Sequence, residues 1–269
     1  MDLQRAKEIL DKNHYGLNEI KERILEYLAV LKLQGGVARA PILCLAGLAG
    51  TGKTSLAISI AEAMERKYER IAFGGLGDPY FLRGKKDGEP GEIIKALIRA
   101  GTKNPVMLLD EIDRVDEKAR ATIMGVLLEI LDPAQNKSFL DHYVDKPFDL
   151  SEVLFIATCN NTTNIATAVL DRLELLNMPA YTDEQKITIA RDYMLPKILQ
   201  QTGMGEKTIT INAEMWPKIV RPLGFDAGIR TLERNIDGMV RKVAKLIVEG
   251  KLTNITIDDN NVKEFLPQW

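Results

Sequence analysis

Apolar residues in this chain fall in short uninterrupted runs, separated by stretches in which they recur at helical spacing. Ile42 to Ala46, Val106 to Asp110 and Val153 to Thr158 are such runs; Arg70 to Phe73 and Leu173 to Met178 are more mixed ones. A run that stays apolar on successive positions has both faces buried, which is expected of strands inside a parallel sheet. Strands alternating with helices predict an α/β fold built on a doubly wound parallel sheet of five strands. Two helices, Leu3 to Leu10 and Leu17 to Leu33, precede the first strand and end at a Gly35-Gly36 loop. After Pro179 the periodicity becomes helical, at Thr182 to Tyr193, Ala213 to Val220 and Gly228 to Val248, with β-branched runs at 208–211 and 254–257. The chain therefore reads as an α/β domain over 1–180, its first 40 residues a helical segment, followed by a smaller, mainly helical domain over 181–269.

In a doubly wound sheet, ligands sit in the crevice at the carboxyl ends of the strands. The loop leaving the first strand there is Gly47-Leu48-Ala49-Gly50-Thr51-Gly52-Lys53-Thr54, with Ser55 opening the helix that follows. This is the Walker A phosphate-binding pattern in its required strand-to-helix context. Glycines let backbone N–H groups turn inward around phosphates, and the helix N-terminus adds partial positive charge. Lys53 supplies a full charge to the β/γ-phosphates, and the Thr54 hydroxyl can ligate Mg²⁺. Val106-Met107-Leu108-Leu109-Asp110-Glu111 has the form of a Walker B strand, with Asp110 as metal partner and Glu111 as the base that orients and deprotonates water. Asp113 reads as a solvated or helix-capping residue. Asn160, after the Val153 to Thr158 strand, can hydrogen-bond both the attacking water and a phosphate oxygen. Arg172 and Arg230 are candidates for stabilising charge in the transition state. The ligands implied are ATP or ADP with Mg²⁺.

Composition narrows the classes. With 45% hydrophobic and 28% charged residues the 269-residue chain has the make-up of an ordinary globular protein, and its net charge of −2 gives no global attraction to nucleic acid or anionic membrane. The charged start, MDLQRAKEIL, lacks the apolar core of a signal peptide, so a cytosolic protein with no membrane partner is expected. Cys44 and Cys159 lie inside apolar strands as small hydrophobes, not as a metal or redox pair. His14 and His142 form no zinc pattern.

In order, these residues resemble an AAA+ ATPase, and in detail the AAA+ module of the Lon protease family. The likeness runs from about Asp11 to Leu266 through DKNHYGLNEIKERILEYLAVLKL, PILCLAG, AGTKNPVMLLDEID, LLEILDPAQNKSFLDHYVDKPFDLSEVLFIATCN, VLDRLE and GIRTLERNI. The resemblance implies that His14, Tyr15, Gly16 and Leu17 border the adenine pocket. It makes Asn160 sensor 1, Arg172 an arginine finger acting on the neighbouring subunit and Arg230 sensor 2. It further implies a homo-oligomeric ring, usually a hexamer, that unfolds and threads polypeptide in protein quality control, with ATP held between the two domains. No segment resembles the family's Ser-Lys catalytic sequence, so peptidase activity is not expected of this chain. Every nucleotide motif is shared with helicase or clamp-loader ATPases; overall acidity and the lack of a helix-turn-helix argue against that alternative. One departure bears on function. Arg83 to Gly91 replaces a longer loop that carries an aromatic-aliphatic pair at the pore, and a smaller change falls at Ala119 to Gly125. Tyr80 and Phe81 are the nearest apolar residues, expected as local packing beneath the loop.

Overall fold

The computed structural model describes residues 2–35, 41–221 and 228–266; Gly36 of the expected loop lies outside them. By their contacts the residues form two compact units, Met1–Leu48 with Gly52–Pro179, and Ala180–Trp269 with Ala49–Thr51.

The first unit begins with α1 (Leu3–Asn13) and α2 (Asn18–Leu33). It continues through β1 (Ile42–Ala46), α3 (Lys53–Ala63), β2 (Tyr68–Ala72), α4 (Tyr80–Arg83), α5 (Glu92–Ala100), β3 (Val106–Asp110) and α6 (Arg120–Leu131). The hairpin β4 (Phe139–Asp141) and β5 (Lys146–Phe148) follows, then β6 (Leu154–Cys159), α7 (Thr167–Leu170) and β7 (Leu173–Asn177). Five strands form one parallel sheet in the order β2-β3-β6-β1-β7. The three central strands are buried at every position, as their unbroken apolar runs predict. The edge strands are not. Only Ile71 of β2 is buried, and Glu69, Arg70 and Glu174 place charge on the two edges, which discourages further strand pairing. Phe73, Phe139 and Phe155 are the largest fully buried side chains in the core of this unit.

The second unit holds α8 (Asp183–Ile189), α9 (Leu195–Gln201), β8 (Ile209–Ile211), α10 (Trp216–Val220), α11 (Arg230–Val248), β9 (Ile255–Ile257) and α12 (Val262–Phe265). Its core gathers Trp216, Ile236, Met239, Val243 and Phe265 around α11. The two β-branched runs pair with each other in parallel, Ile209 beside Ile255. The single helix expected over Thr182 to Tyr193 is longer than that and changes type within. A capping box of Thr182 and Gln185 starts α8, and Ala190–Met194 opens into a π turn before α9. Pro196 supplies the reason: it has no N–H to donate and its ring would strike the carbonyl one turn back, so the local winding loosens. Within the same unit, Gly50 O accepts the Ile229 N–H at 3.0 Å, and Thr51 O accepts the Tyr181 hydroxyl at 3.2 Å. Among the described residues no helix is long and apolar enough to cross a membrane.

Candidate nucleotide site

At the carboxyl end of the sheet, β1 is tied to both neighbours as it becomes a loop. The Gly47 N–H donates to Cys159 O at 3.1 Å and the Met178 N–H to Ala46 O at 2.6 Å. Gly47 sits at φ 159°, and a Cβ there would lie 2.8 Å from Met178 O, so only glycine fits. Gly52, at φ 94°, reverses the chain into α3, whose first residue is Lys53.

The Lys53 ammonium is buried and directs its donors at Gly47 O (2.5 Å), Leu48 O (3.0 Å) and Asn160 Oδ1 (3.0 Å). Burial pushes its pKa below the ordinary lysine range, opposed by Cys159 and by the carboxylates of Asp110, Asp113 and Glu111. Because the lysine can only donate, the amide oxygen of Asn160 must face it. The other end of that amide, Nδ2, is buried without a hydrogen-bond partner. A buried donor left unmet is costly unless something arrives to accept from it.

Asp110, at the end of β3, is buried and held through both oxygens. Oδ1 accepts from the Thr158 hydroxyl at 2.5 Å, and Oδ2 from Arg70, 2.8 Å from Nε and 2.6 Å from Nη2. Glu111 adopts left-handed backbone angles (φ 58°, ψ 49°), uncommon for a residue with a Cβ, and its N–H donates to Thr158 Oγ1 at 2.8 Å. Its carboxylate is partly exposed and lies 3.5 Å from Arg114. The expectation that Asp113 is solvated is wrong. The Asp113 side chain is buried, and its Oδ2 accepts the Asn161 N–H at 3.3 Å, fastening the turn after Asn160. Thr54 is half-buried and Ser55 exposed, its hydroxyl donating to Gly52 O. Leu48 and Ala49 are exposed, Gly50 is half-buried and Thr51 buried.

The structure therefore brings Lys53, Asp110, Glu111 and Asn160 together, and it does so through two residues the sequence reading left out, Thr158 and Arg70. Thr158 lies in an apolar run and Arg70 on an edge strand, so neither carried a motif. His14 packs on α3, its Nε2 2.9 Å from Ser59 Oγ, while Lys21 Nζ donates to His14 O and Asp11. Burial, helped by Lys21, lowers the His14 pKa to about 4, so the ring is neutral at pH 7. Ser59 is only 2% exposed. Tyr15 and Gly16 are half-buried and Leu17 is buried, with a left-handed φ of 55°. Arg172 is not free: it donates to Asp132 and to Ala168 O, both at 3.0 Å. Hydrogen bonds from Ala134 and Arg172 hold the Asp132 carboxyl below its usual range. Arg230 is the exposed first residue of α11. Cys44 and Cys159 are buried neighbours with free thiols, 3.7 Å between sulfurs.

Away from this cluster, Pro79, Tyr80, Arg83, Gly125, Val126 and His142 line a cleft of about 460 Å³. Tyr80 is 52% and Phe81 42% exposed, so these aromatic residues are not packed beneath the adjoining loop as expected.

Comparison with known proteins agrees with this geometry. Residues 43–178 match the ATPase family associated with various cellular activities (AAA), and residues 200–255 the Lon protease AAA+ ATPase lid domain. The chain is 46% identical over 270 residues to a Lon protease of Lawsonia intracellularis, spanning 99% of this chain and 32% of that protein. It is 44% identical to Lon protease 1 of Bacillus subtilis and 42% identical to Lon protease 2 of Thermus thermophilus, again over 99% of this chain and, in each case, 35% of the relative. The chain thus spans about a third of the length of these curated relatives. By sequence and by sheet order, the chain belongs to the AAA+ ATPase modules of the Lon protease family.

Proposed function

We propose that this chain binds ATP with Mg²⁺ at the Lys53, Asp110 and Asn160 cluster, hydrolyses it, and uses the turnover in a homo-oligomeric ring, a hexamer as is usual in the family, to unfold and translocate polypeptide. The observation that carries the reading is the unpartnered Asn160 Nδ2 on the amide that binds the Lys53 ammonium: an unmet donor and a cation lie side by side at a glycine loop. Both suit a phosphate oxygen. The donor set also suits the metal, since the Thr54 hydroxyl and Asp110 carboxylate are hard oxygens that would hold Mg²⁺ together with phosphate and water. Magnesium, when bound, offsets the charge of the phosphates.

Lys53 would exchange its loop carbonyls for the β/γ-phosphates. Glu111, whose carboxylate is partly exposed, would orient the attacking water and accept its proton. Asn160 would donate Nδ2 to the γ-phosphate. Arg172 would act on the nucleotide of a neighbouring subunit, which makes turnover depend on assembly, and Arg230 on the nucleotide of its own chain. No peptidase activity is assigned to these residues.

Calorimetry with Lys53→Ala and Glu111→Gln tests the reading. Lys53→Ala should weaken ATP binding by about 100-fold or more, because it removes the one full positive charge of the loop. Glu111→Gln should keep binding and stop turnover, since an amide cannot take the proton. Unchanged affinity in Lys53→Ala would overturn the assignment.

A further inference from the structure

The central strands place one uncharged side chain against both acidic residues of the candidate site, the carboxylate of Asp110 and the backbone of Glu111. In β3 and β6 alternate residues face opposite sides of the sheet. Met107 and Leu109, like Phe155, Ala157 and Cys159, belong to the core cluster on one face, which leaves Asp110 and Thr158 together on the other. Leu109 pairs with Ala157, so Thr158 stands beside Asp110 where the strands end. Thr158 is fully buried.

A threonine hydroxyl has one hydrogen to give and can also accept. Here both capacities are used on consecutive residues. Oγ1 donates to Asp110 Oδ1 at 2.5 Å and accepts the Glu111 N–H at 2.8 Å. The donation is charge-assisted and short, and it fixes the plane of a carboxylate whose second oxygen is held by Arg70. The acceptance satisfies an N–H in a left-handed conformation that a residue with a Cβ seldom adopts, and the direction of the Glu111 side chain follows from that backbone angle. Residues that orient metal-facing and catalytic groups in this way act through geometry and not through contact with substrate.

We propose that Thr158 is a positioning residue for ATP hydrolysis, its single hydroxyl setting at once the Asp110 carboxylate that would face Mg²⁺ and the backbone that aims Glu111. The inference rests on the ATPase reading above. A threonine that merely filled space would be replaced without loss by valine, which has the same shape. One that acts through its hydroxyl is replaced by serine and not by valine.

The test uses the full chain with Thr158→Val, Thr158→Ser and Thr158→Ala. Calorimetry measures affinity for a non-hydrolysable ATP analogue in Mg²⁺ and in EDTA, and a steady-state assay measures turnover. Thr158→Val should lose roughly tenfold of the affinity gained from Mg²⁺, and turnover should fall by at least as much, while affinity in EDTA stays within about twofold. Thr158→Ser should keep both. If valine disturbs folding, as seen by circular dichroism, the serine and alanine variants take its place, since both remove the methyl and only serine keeps the hydroxyl. Equal behaviour of serine and alanine, or a valine variant with wild-type Mg²⁺ gain and turnover, overturns the role of Thr158 and leaves the ATPase reading standing. A wild-type chain that binds no nucleotide overturns that reading, and this inference with it.

Discussion

Two regions of the first unit are shaped by glycine, and they put it to opposite uses. Around the loop from Gly47 to Gly52, Gly47 lets the chain pass close to Met178, and the backbone then encloses charged side chains: Lys53 and Asp110 are buried, each held by named partners. In the segment from Gly84 to Gly91 the glycines let the chain close on itself. The Gly84 N–H donates to Tyr80 O at 2.7 Å, the Lys85 N–H to Glu89 O at 3.2 Å, and the Gly91 N–H to the buried Asp141 carboxylate at 2.8 Å. What this turn presents outward is Lys85, Lys86, Asp87 and Glu89, all exposed. The first region offers a ligand concentrated charge and an unmet donor. The second offers a fixed base and a polar tip with almost no apolar area, so the two regions differ in what they can grip, not in how firmly they are built.

That contrast can be broken most directly at Gly91. A Cβ there would stand 2.1 Å from Leu82 O and 2.5 Å from the Gly84 nitrogen, and neither backbone atom can move without opening the turn. Gly91→Ala should therefore destabilise the chain by about 3 kcal/mol or more, read as a lowered urea midpoint. Gly88→Ala meets only Lys85, its Cβ at 3.3 Å and its carbonyl oxygen at an ordinary 3.5 Å, and should cost less than about 1 kcal/mol. Equal costs at the two positions would mean that the loop is not closed at its base.

The candidate nucleotide region carries a pH dependence of its own. His14 is neutral when folded, with its pKa lowered by burial from 6.5 to about 4. The unfolded chain takes up a proton in that interval and the folded chain does not. The stability His14 contributes is thus complete above pH 6.5 and is lost as pH falls towards 4. Between pH 7.5 and 5 the loss should be about 2 kcal/mol. His14→Gln, which cannot titrate, should flatten the urea-unfolding profile by that amount. A wild-type profile that parallels the variant's would show that His14 is solvated.

How far the sequence could be read depended on burial. The limits of β1 and β3 match their expected runs, because a strand buried on both faces is apolar almost throughout, and in β3 only the terminal Asp110 is polar. On the β2 edge the strand begins at Tyr68, two residues before the expected Arg70, since an edge strand tolerates the tyrosine and glutamate that read as loop. Lys53, Asp110 and Asn160 were legible as motif residues. Asp113 was misjudged because an acidic residue after a strand usually faces water, and only the fold shows it turned inward towards Asn161. Thr158 and Arg70 left no signal: their roles arise from which strands become neighbours, and sheet order is a long-range property.

The smallest expected effect concerns the exposed aromatic residues beside the loop. A loop that pulls on any sequence needs apolar area for contacts that do not depend on partner chemistry, and the tip from Lys85 to Glu89 has no aromatic or branched aliphatic side chain. Tyr80 and Phe81 do have such area and lie at the solvent surface, with the Tyr80 ring edge-on to His142 at 6.2 Å across the cleft. If polypeptide engages this face, these two side chains are its best hold, fixed to a short helix and unable to reach as far as a longer loop would. Stimulation of ATP turnover by unfolded casein should accordingly be weak, below about twofold, and should vanish when Tyr80 and Phe81 are both replaced by alanine. Asp87→Phe, which adds an apolar side chain at the tip without touching the base at Gly91, should raise the stimulation. Strong stimulation that survives the double alanine replacement would show that the polar tip itself grips substrate, and the contrast between the two glycine-shaped regions would then no longer hold.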